Sequence, residues 1–346
     1  RILLLRPHTF SIALMLVACS LLNRSRSPRD WATLVGLGFL FAWSHSNPHF
    51  VLFPALVFAA VRMRKGRRQH LSQALAMPAA CGLGIVLGYT LHPQCPNTFI
   101  LWKVQCVDVL LQAIAGTKPV NLGSELSPPD AAWWLGNALI PLAAVAGALL
   151  FRELWRERRL MQSHVAMQIL AGLSLTGTLL GQRGMEYACP FVLLSLCLNA
   201  ETWFRTRMRT SPGRYRRLCV AFSAAAVIIL IAGGMARFRV YRKTSIEPLT
   251  ELSQWVTAAD LPPGTRVINL VWHEFPLLFY AAPQLRFSFG LDPMFAYTYR
   301  PKTYSDLCRF RSGALRLSPK ELSELGEARF LFASKWSHSL AKDLFG

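Results

Sequence analysis

The sequence predicts a mostly α-helical chain: a polytopic helical membrane domain, with about eight crossings of which two are short, followed by a small extracytoplasmic α/β domain. Three observations carry this expectation. The 346 residues are 53% hydrophobic and 16% charged, with a mean hydropathy of +0.31, so several segments are apolar enough to live in lipid. Eighteen of the 38 Lys and Arg fall in four short loops between apolar segments, 23–30, 62–70, 152–163 and 202–217, whereas the alternating loops hold only Lys103, Lys118 and Arg183. That asymmetry is the positive-inside pattern of membrane orientation. Beyond Arg237, strand-like and helix-like stretches alternate, which is the pattern of a mainly parallel sheet with helices. The domain boundary is therefore drawn between 237 and 238, giving 1–237 and 238–346.

The first span runs from about Pro7 to Leu22 and enters from outside. Next comes Trp31 to Met63, apolar except for Ser44, His45, Ser46, Asn47, Pro48 and His49 near its middle. Basic clusters flank both ends, so one spanning helix would put them on opposite sides of a membrane. A hairpin broken at Pro48 keeps both inside and places SHSNPH at the outer face. Each arm has about 13 residues, short of the roughly 17 to 25 of a full span. Residues 71–91 form a full-length span whose small residues favour close helix packing. Within the long outer loop 92–130, Thr98 to Ala115 has apolar residues at helical spacing and reads as an interfacial helix. Ala131 to Phe151 returns inward, with Trp133 and Trp134 at the interface. His164 to Leu180 goes out, Met185 to Ala200 comes back through the tight turn GQRGMEYACP, and Leu218 to Ala236 exits last.

In the C-terminal part, Leu249 to Ala259 reads as a helix. Residues 266–271, 285–290 and 328–334 read as strands, and 302–312, 318–325 and 337–345 as helices. No internal repeat or low-complexity segment is present. The chain starts at Arg1 without a methionine, and we read it as an internal piece of a longer protein, truncated at both ends, so the lack of a signal peptide carries no weight. The net charge of +20 sits in loops between spans and gives no reason to invoke nucleic acid. Anionic lipid headgroups suit those loops better. The expected localisation is an integral protein of the bacterial cytoplasmic membrane with its C-terminal domain outside. The eight cysteines have no CxxC or zinc-like spacing. Cys95 and Cys106 share an outer loop, and their pairing stays open.

Polar groups at the mouth of a helical membrane bundle are functional candidates. Here they are His45, His49, Glu125, Arg183 and Glu186, joined by His92. His45 and His49 are four residues apart and would chelate a divalent metal if helical, although Pro48 breaks that geometry and two solvated interfacial histidines are the simpler reading. No other cofactor signal is evident. Arg183 and Glu186 are three apart. Either they form a structural ion pair, or Arg183 binds a phosphate through its fork of donors while Glu186 orients it. Glu125 is a loop carboxylate suited to acid/base chemistry, with simple solvation as the plainer reading. His273, Glu274 and Asp292 follow strands, where α/β sites often lie, though Asp before Pro also initiates turns. No nucleotide-binding glycine pattern, hydrolase elbow or kinase signature appears.

The segments RPHTFSIALML and AWSHSNPHF resemble the RPxxxS span and the following W-x-N-x-H-type outer turn of bacterial multi-pass GT-C-like membrane glycosyltransferases. His45 stands where the usual Asn would be, with Asn47 two residues on. QRGMEYACPF (182–191) resembles the R-x-x-E-Y-x-x-P-F segment of those proteins. LPPGTRVINLVWHEFPLLFYAAPQLRFSFGLDPMFAYTYRP is similar to their C-terminal domain, where PxGxxVxN leads into a strand and a GLDP-like turn follows. The resemblance implies a polyprenyl-phosphate-linked sugar donor and transfer on the extracytoplasmic face. It also implies a catalytic carboxylate in a first outer loop, which lies upstream of this sequence. A non-catalytic multi-pass transporter or an assembly scaffold with an outer binding domain is the alternative.

Overall fold

The structure is a computed structural model. It describes residues 7–24, 27–45, 47–64, 68–111, 127–208, 247–271, 274–290 and 293–332, with isolated positions 213, 217, 220 and 235. Its contacts divide the chain into two compact units, one of residues 1–107 with 123–221 and one of 108–122 with 222–346. The boundary read at 237/238, the last predicted span, Glu125, His273, Asp292 and the predicted helix 337–345 lie outside the described residues or at their margin.

The first unit is helical. In chain order it holds α1 (Pro7–Arg24), α2 (Pro28–Ser44), α3 (Leu52–Met63), α4 (Arg68–Thr90), α5 (Asn97–Trp102), α6 (Ala131–Gly136), α7 (Leu139–Arg156), α8 (Gln162–Leu180) and α9 (Met185–Met208). Among the described residues, two stretches, Leu71–Thr90 and Gln162–Leu180, are long and apolar enough to cross a membrane, and Phe10–Arg24 and Pro48–Met63 are shorter apolar helices. α2 begins before the hairpin arm read from hydropathy. Ser27 and Asp30 cap it reciprocally: the Ser27 Oγ accepts from the Asp30 N–H at 3.3 Å, and the Asp30 carboxylate accepts from the Ser27 N–H at 3.0 Å. Pro28 fills the first helical position. This Ser-x-x-Asp box lets the helix start among charged residues, where hydropathy alone ends it. The 17 residues of α2 reach about 25 Å at roughly 1.5 Å per residue.

Glycines set how close α2 and α4 come. A Cβ on Gly84 would lie 2.1 Å from the Val35 carbonyl oxygen, and one on Gly38 2.4 Å from that of Cys81. A Cβ on Gly88 would lie 2.7 Å from the Ala42 Cβ. Gly84 and Gly88 are one turn apart, the spacing of small-residue helix packing. Around this contact, Leu34, Phe41, Phe58, Met77, Leu170 and Phe191 form a common buried core. Ser11 Oγ lies 3.3 Å from Ser44 Oγ, joining the start of α1 to the end of α2. At the other end of α1, the Arg62 guanidinium donates to the carbonyls of Leu22 at 2.7 Å and Asn23 at 3.2 Å.

α7, α8 and α9 pack around a polar seam. Ser195 Oγ donates to Gln168 Oε1 at 2.9 Å, and the Asn199 amide donates to the Gly147 carbonyl at 3.2 Å. Nearer the start of α8, His164 Nδ1 accepts from the Met161 N–H at 3.2 Å. Its proton is therefore on Nε2, 2.9 Å from Thr202 Oγ1.

The second unit is α/β. It contains α10 (Glu247–Ala258), β1 (Arg266–Asn269), α11 (Phe275–Ala281), β2 (Arg286–Phe287), α12 (Pro293–Tyr299), α13 (Pro301–Arg311), α14 (Pro319–Gly326) and β3 (Phe330–Phe332). The strands are parallel in the order β2-β1-β3. Gly264 takes the left-handed φ of +85° that the turn into β1 needs. The fully buried Asn269 extends the β1–β2 pairing with its side chain, accepting from the Phe289 N–H at 2.9 Å and donating to the Phe289 carbonyl at 3.0 Å.

Two substitutions test this packing. Gly84→Ala forces α2 and α4 apart and is expected to cost about 1–3 kcal/mol as overpacking, read as a lower thermal unfolding midpoint in detergent. Gly36→Ala, whose Cβ would meet nothing within 4 Å, should be neutral or stabilising. Asn269→Leu leaves both Phe289 backbone groups without their partner. It should destabilise the α/β unit by about 1–3 kcal/mol, seen as faster amide exchange in β1.

Candidate functional site

The residues of interest gather where α2 ends, α3 begins and α9 begins. α2 stops at His45, which leaves the helix with an extended backbone at φ −143° and ψ 133°. Pro48 starts a short 3-10 turn, Pro48–Val51, that feeds α3. His45 turns inward and is buried. Its Nδ1 accepts from the Asn47 N–H at 2.9 Å, so its ring proton sits on Nε2, 3.4 Å from the Tyr187 hydroxyl. His49 lies half-buried on the 3-10 turn, stacked on Phe50 with centroids 4.8 Å apart. Its Nδ1 accepts from the Trp102 indole N–H at 3.1 Å. Phe50 in turn packs on Tyr187 at 4.6 Å. Asn47 Oδ1 accepts from the Cys106 thiol at 2.9 Å, and burial pushes that thiol up to about 12.

This corrects the reading of two solvated histidines. The break at Pro48 folds the turn back against α9 and the segment after α5, so both rings find ring and hydrogen-bond partners. It also bears on a metal. Each histidine already uses Nδ1 as an acceptor, and in the neutral ring the other nitrogen carries the proton, so neither offers a lone pair for chelation. Among the described residues, no group of three or more His, Cys, Asp or Glu is placed to hold a metal ion. No disulfide joins Cys95 and Cys106.

Arg183 sits on a 3-10 turn, Gln182–Gly184, between α8 and α9. Two features hold that turn in place. The Gln182 N–H donates to the Ser127 carbonyl at 3.1 Å, and Gly184 lies so close to α8 that a Cβ would meet the Thr178 nitrogen at 2.6 Å. Glu186 falls in the first turn of α9, where a carboxylate complements the helix N-terminus. Arg183 and Glu186 both lie close enough to Tyr187 for their charges to act on its phenol. Tyr187 therefore links the Arg183 turn to the His45 turn. Glu125, the remaining candidate, is outside the described residues.

The sequence does not single out Phe50, Trp102 or Tyr187. Tyr187 is inside the QRGMEY segment and was the one with a signal, an aromatic beside a charged pair. Trp102 is separated by 53 residues from His49, and nothing local marks it. Chemically the arrangement offers a guanidinium fork, a phenol and an aromatic wall around a turn, a combination suited to a phosphate carried on a larger organic group. No protein-family model matches this chain, and no curated protein matches it.

Burial holds the His49 imidazole below its ordinary pKa. The unfolded chain then binds this proton more readily than the folded one. The stability tied to the neutral ring is complete above the unfolded value of about 6.5 and is lost as pH falls below it. The unfolding midpoint should therefore drop as pH is lowered through that value. His49→Phe keeps the stack on Phe50 and removes the titration, so its curve should be flatter over the same window.

Proposed function

We propose that the chain is an integral membrane glycosyltransferase of the GT-C-like kind, transferring a sugar from a polyprenyl-phosphate donor on the extracytoplasmic face. In this reading the four basic loops face the cytoplasm, eight segments cross the bilayer, and the α/β unit lies outside a bacterial cytoplasmic membrane. Arg183 binds the donor phosphate with two N–H groups, and Glu186 holds that guanidinium. His45 and His49 shape the neighbouring turn. Glu125 is retained as a carboxylate at the same face, and no residue of this sequence is assigned as the catalytic carboxylate.

One observation carries the proposal: the Arg183 turn and the SHSNPH turn meet through Tyr187. They come from the two segments that resemble that family. His45 gives its Nε2 proton toward the Tyr187 oxygen, which leaves the phenol's own proton available to a ligand as a second donor beside Arg183. The alternative, a multi-pass transporter or assembly scaffold, draws support from the polar seam. There Asn199 Oδ1 is buried without a hydrogen-bond partner among the described residues, and such groups inside membrane helices often mark a transport path.

Binding of a polyprenyl-phosphate-linked sugar, normalised to folded protein, separates the two. Arg183→Lys keeps the charge but loses the fork, so it should weaken donor binding nearly as much as Arg183→Ala. The loss of about 1.5–3 kcal/mol corresponds to roughly 10- to 150-fold in affinity. Unchanged affinity in Arg183→Ala would leave the turn a structural role and favour the transporter or scaffold.

A further inference from the structure

The α/β unit contains a cavity of about 300 Å³, at the small end of ligand pockets. Arg266, Arg286 and Arg300 line it, with Ser288, Tyr299 and Thr303. The strand register makes this unusual. Arg266 on β1 is the direct partner of Arg286 on β2, and like charges opposed across neighbouring strands repel. Glu327 answers part of that charge. Its carboxylate is shared by Arg266 and Arg300, the latter at 3.0 Å. Among the described residues, three arginines thus share one carboxylate, which leaves a surplus of two positive charges around a cavity whose described lining residues include no acid.

We propose that this cavity binds a ligand bearing a phosphate group. A phosphate dianion matches the surplus charge, its oxygens suit the forked donors of arginine, and Ser288 and Thr303 supply hydroxyls. The half-buried Phe287 and the exposed Tyr299 give the rest of the ligand an aromatic surface. The site belongs to the second unit and is distinct from the Arg183 turn.

Inorganic pyrophosphate is the probe, titrated calorimetrically into the whole chain in zwitterionic detergent at low ionic strength. Arg286→Gln, at an exposed position, should weaken binding about tenfold or more. Glu327→Gln releases Arg266 and Arg300 from their competing carboxylate and should tighten it. Arg183→Ala removes any binding at the donor turn and should leave the Arg286-dependent binding in place, which separates failure of this proposal from failure of the donor site. The source of the phosphate is read by moving the protein into nanodiscs. Pyrophosphate binding that is suppressed by anionic phospholipid, relative to zwitterionic phospholipid, identifies a lipid headgroup as the ligand, and binding that persists identifies a soluble one. The proposal is overturned if the unaltered chain does not bind pyrophosphate, if Arg286→Gln binds it equally well, or if Arg183→Ala abolishes the signal.

Discussion

The helical unit depends on how closely α2 and α4 approach. Carbonyl oxygens of one helix lie where the other helix has only hydrogen on Cα, at Gly38 and Gly84. Helix pairs gain dispersion contacts from such an approach, whichever medium surrounds them. Its consequence reaches the site. Gly88, one turn beyond Gly84, leaves its carbonyl open to the Trp43 indole N–H at 2.8 Å. Trp43 precedes the end of α2 by one residue, so this bond ties the last turn of α2 to α4, just ahead of the point where His45 turns inward. The same tryptophan meets His92 edge-on, with centroids 5.4 Å apart. The close helix pair thus anchors the end of α2 from which the turn starts.

The other helices are held by a different chemistry. Between α7, α8 and α9 the contact is polar, through Gln168, Ser195 and Asn199. At their basic end Arg207 reaches Glu157 at 2.8 Å, and Arg159 donates to Thr206 at 2.9 Å. The partly exposed Arg207–Glu157 ion pair contributes about 0–1 kcal/mol, so these contacts orient the helix ends more than they stabilise them. The buried amides fix register instead, because a displaced Asn199 would give up its bond to Gly147 with no water at hand to replace it.

Much of this was legible in the sequence, and the failures share a cause. Hydropathy located α1, α4 and α8 because their apolar runs are continuous. The strands at Arg266, Arg286 and Phe330 were legible because turn residues bound short apolar runs. The start of α2 was misplaced because its capping box is made of polar residues that hydropathy discards. α11 and α12 were missed: both open on or just before a proline and are only seven residues long, too short for periodicity to register. In the site, Arg183 and Glu186 were visible as charges in an apolar stretch. The burial of His45 was not, since its hydroxyl neighbour Tyr187 lies 142 residues away. Local pattern reports which groups are polar; it does not report which distant ring will cover them.

Arginine shows the same limit from another side. The net charge of +20 reads as one property, yet the structure uses it in three ways. Arg62 satisfies carbonyls at the end of α1 that have no helical partner, and a positive charge there also complements the helix C-terminus. Arg207 is compensated by Glu157 and Glu153 and lies over the Trp203 ring. Arg266 and Arg286 are different, because strand register sets them side by side while Glu327 contacts the first and not the second. A charge that caps a helix or pairs with a carboxylate repays its placement within the fold. Two exposed arginines set opposite one another by register, with Glu327 on the first, leave charge that the proposed phosphate ligand would neutralise. The distinction between structural and surplus charge is therefore a matter of register, which composition cannot express.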